Sequence, residues 1–332
     1  MTPQEILNVK KPELIFPFGE LDDIKHRYRD YARAFHPDKN PAHGDVFAHI
    51  NFLHDEALKK VTEGTWGGRG VTVFKLVGGS EFIIQQLAVR PFGLGRMFIE
   101  PERVVFVIDS THSSLVNNYS KIVSKLTFAD DKMKKSLQAS LPPSRASIEK
   151  TTDGQFLVSI KKPRNSLLLR DVLDYFGGRL PGRHMAWVTS TLHNLACYLS
   201  YAGVAHNDIS PDTYFIDPIE HTGTLVGGWW WSAALGGPLT HVPARTAAVI
   251  PWEVKRTKTA SHLTDLELIR LTGREIYSHD KTNHPIILKR LATVASGTAV
   301  EDYAGWRKTL DELGKRKYVV LEVLEEQLYG GA

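Results

Sequence analysis

Two short stretches carry residue types that could do chemistry. The first is "AGVAHNDISPDTYFID", residues 202 to 217, in which His206, Asn207 and Asp208 stand together. Asp208 is a carboxylate that could accept a proton, or could instead order its own loop by hydrogen bonds. The second is "RAFHPDKNP", residues 33 to 41, with His36, Pro37 and Asp38 in sequence. Pro37 stiffens the backbone there. His36 brings a donor or acceptor, and Asp38 a charge. Just before them Lys25, Arg29 and Arg33 recur at i, i+4 and i+8, a basic stripe on one helical face. Such a stripe is either a solvated surface or a source of long-range attraction to an acidic partner.

The bulk numbers frame these stretches. At roughly 100–200 residues per domain, 332 residues predict two domains. The hydrophobic share of 42% is enough for a sizeable core, and the charged share of 23% does not call for long disorder. Lys plus Arg is 41 and Asp plus Glu is 37, a net of +4, too mild to point to nucleic acid. The one cysteine, Cys197, lies in an apolar helical run and reads as a buried thiol in a reducing compartment. No run approaches the ~20 apolar residues that span a bilayer. The opening residues lack the apolar core of a signal peptide. No membrane partner is expected.

Around the first stretch of basic residues, Ile24, Tyr28, Tyr31, Ala32 and Phe35 form one apolar helical face. Pro37 disfavours helix at His36. A second helical period follows, with Phe47, Ile50, Leu53, Ala57 and Leu58 inward. The spacing predicts two antiparallel helices joined by an exposed His36-Pro37-Asp38 loop. This arrangement, over residues 1 to 65, resembles a J-domain. The resemblance implies a small all-α helical hairpin that recruits an Hsp70-type chaperone through His36, Pro37, Asp38 and the Lys25, Arg29, Arg33 stripe. The first connection, "NVKKPELIFPFGE", is longer and more apolar than the family pattern.

Residues 66 to 80 are glycine-rich and read as a linker running into a strand. Strands are predicted in "EFIIQQLAV", "RMFIEPERVVFVID" and "TTDGQFLVSIKKP", and helices in "HSSLVNNYSKIVSKLTF", "SLLLRDVLDYF" and "HMAWVTSTLHNLACYLSYAG". The chain is therefore strand-rich first and helix-rich afterwards. With His206 and Asp208 following a long helix, it resembles the protein-kinase fold, in a degenerate form. The resemblance implies an α+β class overall. The J-like hairpin precedes a bilobal domain, with a small lobe over 81 to 165 and a large lobe over 166 to 332.

Several family positions differ. In the family's catalytic loop a metal-binding Asn stands five residues after the Asp; here it is Thr213. "GTLVGGWWWSA" places Gly228 where a second metal ligand, an Asp, is expected. Val107 stands where a strand Lys contacts phosphates, and no acid in "SLVNNYSKIVSKL" is present to pair with one. Lys75 precedes the candidate phosphate loop, so it does not fill that role. That loop, "VRPFGLGRMFIEP", keeps Gly93 and Gly95 as candidate nucleotide-contacting glycines. Pro251 and Glu253 match an Ala-Pro-Glu element, and Asp265 matches an Asp that braces the catalytic loop.

A hard cation wants carboxylate or carbonyl oxygens, and Thr213 with Gly228 brings one neutral hydroxyl. No metal site and no cofactor are expected, so the kinase-like part reads as a pseudokinase that binds a client or scaffold protein. ATP with Mg²⁺ around Asp208, giving an atypical kinase-like enzyme, is one alternative; a structural or interaction protein is another. The three tryptophans 229 to 231 either fill the cleft and core or shape a pocket, and at least one should lie off the main core. The combination resembles proteins of bacteria and their phages in outline. The cytoplasm is the expected location, or the virion for a phage-encoded chain.

Overall fold

The computed structural model describes residues 2–7, 9, 12, 15–16, 21–38, 40, 43–62, 69–144, 146–278, 284–314 and 318–329. The chain divides into two compact units, Met1–Glu100 with Tyr329–Ala332, and Pro101–Leu328. The first boundary falls inside the segment 81 to 165 read as a small lobe.

The first unit opens with α1 (Pro3–Leu7), α2 (Leu21–Phe35) and α3 (Gly44–Thr62). A reciprocal cap starts α1: Glu5 N–H donates to Thr2 Oγ1 and Thr2 N–H to Glu5 Oε2. The helix α2 ends at Phe35, two residues before Pro37, as the proline rule requires. Its apolar face packs on α3: Ile24 is buried with Leu53 and Ala57, and Tyr28, Tyr31 and Phe35 cover the seam. Tyr28 Oη donates to Asn51 Oδ1 at 2.9 Å, fixing the register of the pair. The apolar first connection has a physical role here, since Val9, Ile15 and Phe16 join that core. Val46 is buried against Ile6 and Ile50, while Phe47, expected inward, is half-buried beside His36.

The same unit continues as β1 (Gly70–Lys75), β2 (Glu81–Gln86), β3 (Ala88–Phe92) and β4 (Gly95–Ile99). Strand β1 lies within residues 66 to 80, where the glycine content reads as linker. It forms an antiparallel hairpin with β2, in register from Gly70 opposite Gln86 to Lys75 opposite Glu81. The glycines there serve the turn: Gly79 has a left-handed φ of 82°.

In the second unit, β5 (Arg103–Ile108), α4 (Ser113–Val123), α5 (Asp131–Leu137), β6 (Ser147–Lys150) and β7 (Phe156–Lys161) come first. Strand β7 pairs antiparallel with both β5 and β6. After β7 the Lys162 ammonium is buried and donates to the carbonyls of Pro101 (2.8 Å) and Ser166 (3.0 Å). Burial lowers its pKa to about 8. Then follow β8 (Leu167–Leu168), α6 (Leu169–Tyr175), α7 (Gly182–Tyr201), β9 (Val204–Ala205), β10 (Tyr214–Asp217), β11 (Thr222–Leu225) and β12 (Ala233–Ala234). The chain closes with α8 (Ala244–Val249), α9 (Trp252–Thr257), α10 (His262–Ile276), α11 (Pro285–Ala292), α12 (Ala299–Asp311) and α13 (Glu325–Tyr329). The long helix α7 is the centre of this half, packed on α10 and α12. Among the described residues no helix is long and apolar enough to cross a membrane.

Candidate functional site

The loop from β9 to β10 holds His206, Asn207 and Asp208. It needs a brace because its backbone is unusual: Asn207 sits at a left-handed φ of 65°, a region where a non-glycine residue costs roughly 1–2 kcal/mol. Asp265 of α10 supplies the brace. Its Oδ2 accepts from His206 N–H and its Oδ1 from Asn207 N–H, both at 2.8 Å, and all three residues are buried. Burial pushes the Asp265 carboxyl up to about 7, against the pull of the two N–H donors. A second brace comes from α8, where Thr246 Oγ1 donates to Asn207 O at 2.6 Å. Asn207 Nδ2 donates to Trp231 O at 3.0 Å.

The His206 ring is fully buried and has a fixed tautomer. Nδ1 accepts from Asp208 N–H at 3.2 Å, so Nε2 carries the proton and donates to Gly227 O at 3.1 Å. Trp229 meets the ring edge-on at 4.7 Å. Burial lowers the His206 pKa to about 3, so the folded loop holds it neutral. The unfolded chain binds a proton near pH 6.5 while the folded chain does not. This term of the stability is therefore present above that pH and fades as the pH falls toward 3. The expected slope is about 1.4 kcal/mol per pH unit. Melting curves of wild type and His206→Asn between pH 4 and 8 check this: the variant should lose less stability on acidification.

Asp208 is only partly exposed. Burial raises its pKa well above the usual carboxylate range, opposed by the Arg245 cation and aided by Asp212. It orders the loop through its main chain, since its carbonyl accepts from Thr213 Oγ1 at 2.7 Å.

Thr213 and Gly228, at the positions where the kinase resemblance has metal ligands, offer no free ligand atom for a divalent cation. The Thr213 hydroxyl is consumed inside the loop: besides the bond to Asp208 O, it accepts from Ser210 N–H at 3.1 Å. Gly228 has a left-handed φ of 83°, and a Cβ there would stand 2.6 Å from His206 Cε1 and 2.9 Å from Asp208 Oδ2. No side chain, and so no carboxylate, has room. Among the described residues no group of three or more His, Cys, Asp or Glu could hold a metal ion. Val107, in the place of the phosphate-contacting Lys, is buried in β5 opposite Leu157.

The tryptophans form a 3-10 turn, Trp229–Trp231, rather than a strand. Trp229 and Trp230 are buried and Trp231 is half-buried. Trp229 Nε1 donates to Leu225 O at 2.8 Å. Trp230 lies 4.7 Å from Phe106 and 5.9 Å from Tyr119 of α4. The Asn118 amide donates to Trp230 O (2.9 Å) and Ser232 O (2.8 Å), tying α4 to this turn.

Other residues singled out in the sequence lie in other elements. Gly93 is in the β3–β4 turn and Gly95 opens β4 opposite Phe92. Glu253, matched to an Ala-Pro-Glu element, is exposed in the first turn of α9. Arg245 of α8 ties that helix to α10, pairing with Glu275 and donating to Thr272 Oγ1 at 3.2 Å. Asn118, Arg245 and Thr246 were missed because each acts through a main-chain or long-range contact with no local spacing to announce it.

In the first unit His36, Pro37 and Asp38 occupy the turn between α2 and α3. His36 Nδ1 accepts from Asp38 N–H at 3.2 Å, and its ring packs 5.2 Å from Phe47. Asn40 Nδ2 donates to Ala34 O at 2.8 Å, closing the C-terminal end of α2. Lys25, Arg29, Arg33 and Asp38 are exposed. Beside them an open groove of about 450 Å³ is lined by His26, Arg27, Asp30, Tyr31, Ala34 and Phe35.

No family model matches the chain, and no curated protein sequence matches it. Solved structures do. The BubR1 kinase domain is similar at 11% identity, over 74% of this chain and 84% of that one, with a TM-score of 0.50. Vaccinia related kinase 3 is similar at 13% identity, over 73% and 92%, with a TM-score of 0.49. The likeness is one of fold: a mixed α+β, protein-kinase-like domain.

Proposed function

We propose that the chain is an adaptor, in which a kinase-like domain without phosphoryl transfer binds a protein client or scaffold, and the helical hairpin recruits an Hsp70-type chaperone. The observation that carries the first half is the closure of both cation positions, with the Thr213 hydroxyl spent within its loop and no space for a side chain at 228. Phosphoryl transfer rests on electrostatic stabilisation by such cations. Without them the partly buried Asp208 has little to assist. What supports the second half is the presentation of His36-Pro37-Asp38 at the end of an exposed Lys25, Arg29, Arg33 stripe. A stripe of this kind raises association rates with an acidic surface and weakens with salt.

The test compares wild type with His36→Gln for stimulation of an Hsp70 ATPase, alongside labelled ATP with Mg²⁺ or Mn²⁺. Wild type should stimulate and the variant should not, with both equally folded and neither incorporating label. Equal stimulation by both would remove the chaperone role. Label incorporation lost in Asp208→Asn would make the chain an enzyme.

A further inference from the structure

Two exposed features of the second unit complement each other. The first is on α9. Trp252 is 70% exposed, far more than is usual for so large an apolar ring. Lys255 and Arg256 follow at i+3 and i+4, on the same helical face, and Lys258 lies just beyond the helix end. All three cations are exposed. The Arg256 guanidinium lies 5.4 Å from the Trp252 ring centre, which holds the indole in place. Glu253 is the one acid of this helix, and its spacing puts it off that face. The result is an aromatic anchor ringed by positive charge.

The second feature is the segment before and into α13. Leu321 and Val323 are buried, and Val320, Glu322 and Leu324 alternate with them facing out. Leu324 is 54% exposed, and Glu326 adds a second exposed acid. Leu321 N–H donates to Pro218 O at 3.2 Å and Val323 N–H to Leu321 O at 2.8 Å, so the segment is fixed by main-chain bonds with a tight turn at Glu322. It is an acidic ridge with apolar knobs.

We infer that the Trp252 patch of one copy of this chain receives the Leu324 ridge of a second copy. Opposite charge and apolar knobs are present on both sides, and both elements are pre-shaped. The two surfaces differ, so the contact is head-to-tail rather than two-fold. It is small, which makes the association weak and concentration-dependent.

Sedimentation of the intact chain tests this. At about 0.05 M salt the apparent mass should rise with protein concentration, and at about 0.5 M it should return to that of a monomer. The set Lys255→Glu, Arg256→Glu, Lys258→Glu and the set Glu322→Lys, Glu326→Lys should each remain monomeric. An equimolar mixture of the two sets should associate again, because each reversed surface then meets its opposite. Should a charge set fail to fold, Trp252→Ser at an exposed position gives the same loss of association. A chain that stays monomeric at every concentration, association indifferent to the charge sets and to Trp252→Ser, or a mixture that does not associate would each overturn the inference.

Discussion

Gly228→Ala should lower stability by about 2–5 kcal/mol, the sum of a left-handed backbone and a steric clash. The backbone part comes from a φ of 83°, which a residue with a Cβ adopts at a cost. The steric part comes from His206 and Asp208, whose nearest atoms would stand 2.6 and 2.9 Å from the new carbon. Neither neighbour can yield cheaply. The His206 ring is held at both nitrogens and against Trp229. The same clash applies to Gly228→Asp, which would install the carboxylate that the family resemblance expects there. Thermal melts with and without Mg²⁺ check both variants. Both should melt lower than wild type, and Mg²⁺ should not recover the Asp variant. A Gly228→Asp protein that melts like wild type, or gains stability from Mg²⁺, would show that the turn opens more easily than its packing implies.

Asp265→Ala should be at least as damaging. It leaves two buried N–H groups, of His206 and Asn207, without acceptors. Each orphaned donor costs ~1–3 kcal/mol, so the pair costs roughly 2–6 kcal/mol. The damage should be local at first, because those donors hold the left-handed turn at Asn207. Asp265→Asn keeps one carbonyl oxygen and should lose about half as much. Denaturant melts of the three proteins order them: wild type, Asn, Ala. An Ala variant within experimental error of wild type would mean that the loop has another support.

Much of the architecture was legible because it rests on periodicity. The α2–α3 hairpin follows from apolar residues at helical spacing and a proline at its turn. The strand-then-helix order follows from local pattern in the same way. What escaped is what depends on packing. Residues 66 to 80 read as a linker running into a strand because glycine dominates locally, yet Gly70–Lys75 is already strand, with Val71 and Val73 on one face and Phe74 on the other, paired with β2. Three consecutive tryptophans cannot all share one face of a strand, which is why at least one is expected off the main core. They form a 3-10 turn, with Trp229 and Trp230 buried and Trp231 half-buried. Glu253 matched a motif by spacing, but its exposed helix turn gives it nothing to hold. At the candidate site, the kinase resemblance pointed to the loop and to Asp265, whose carboxylate accepts from two N–H groups of that loop. Residue types could not say that the Thr213 hydroxyl turns back into the loop, because that depends on the backbone between Ser210 and Thr213.

The fastening of α4 bears on how this domain could carry information. To swing α4 away, the two Asn118 hydrogen bonds must break and Trp230 must lose its cover. At ~1 kcal/mol per bond and about 25 cal/mol per Å² for a ring of ~150–250 Å², that is on the order of 6 kcal/mol. Fewer than about one molecule in ten thousand would then hold the swung posture. A ligand moves a protein between postures only by favouring one over another. A helix with one seat offers it no choice, so a ligand that bound against α4 would act by covering surface rather than by moving the helix.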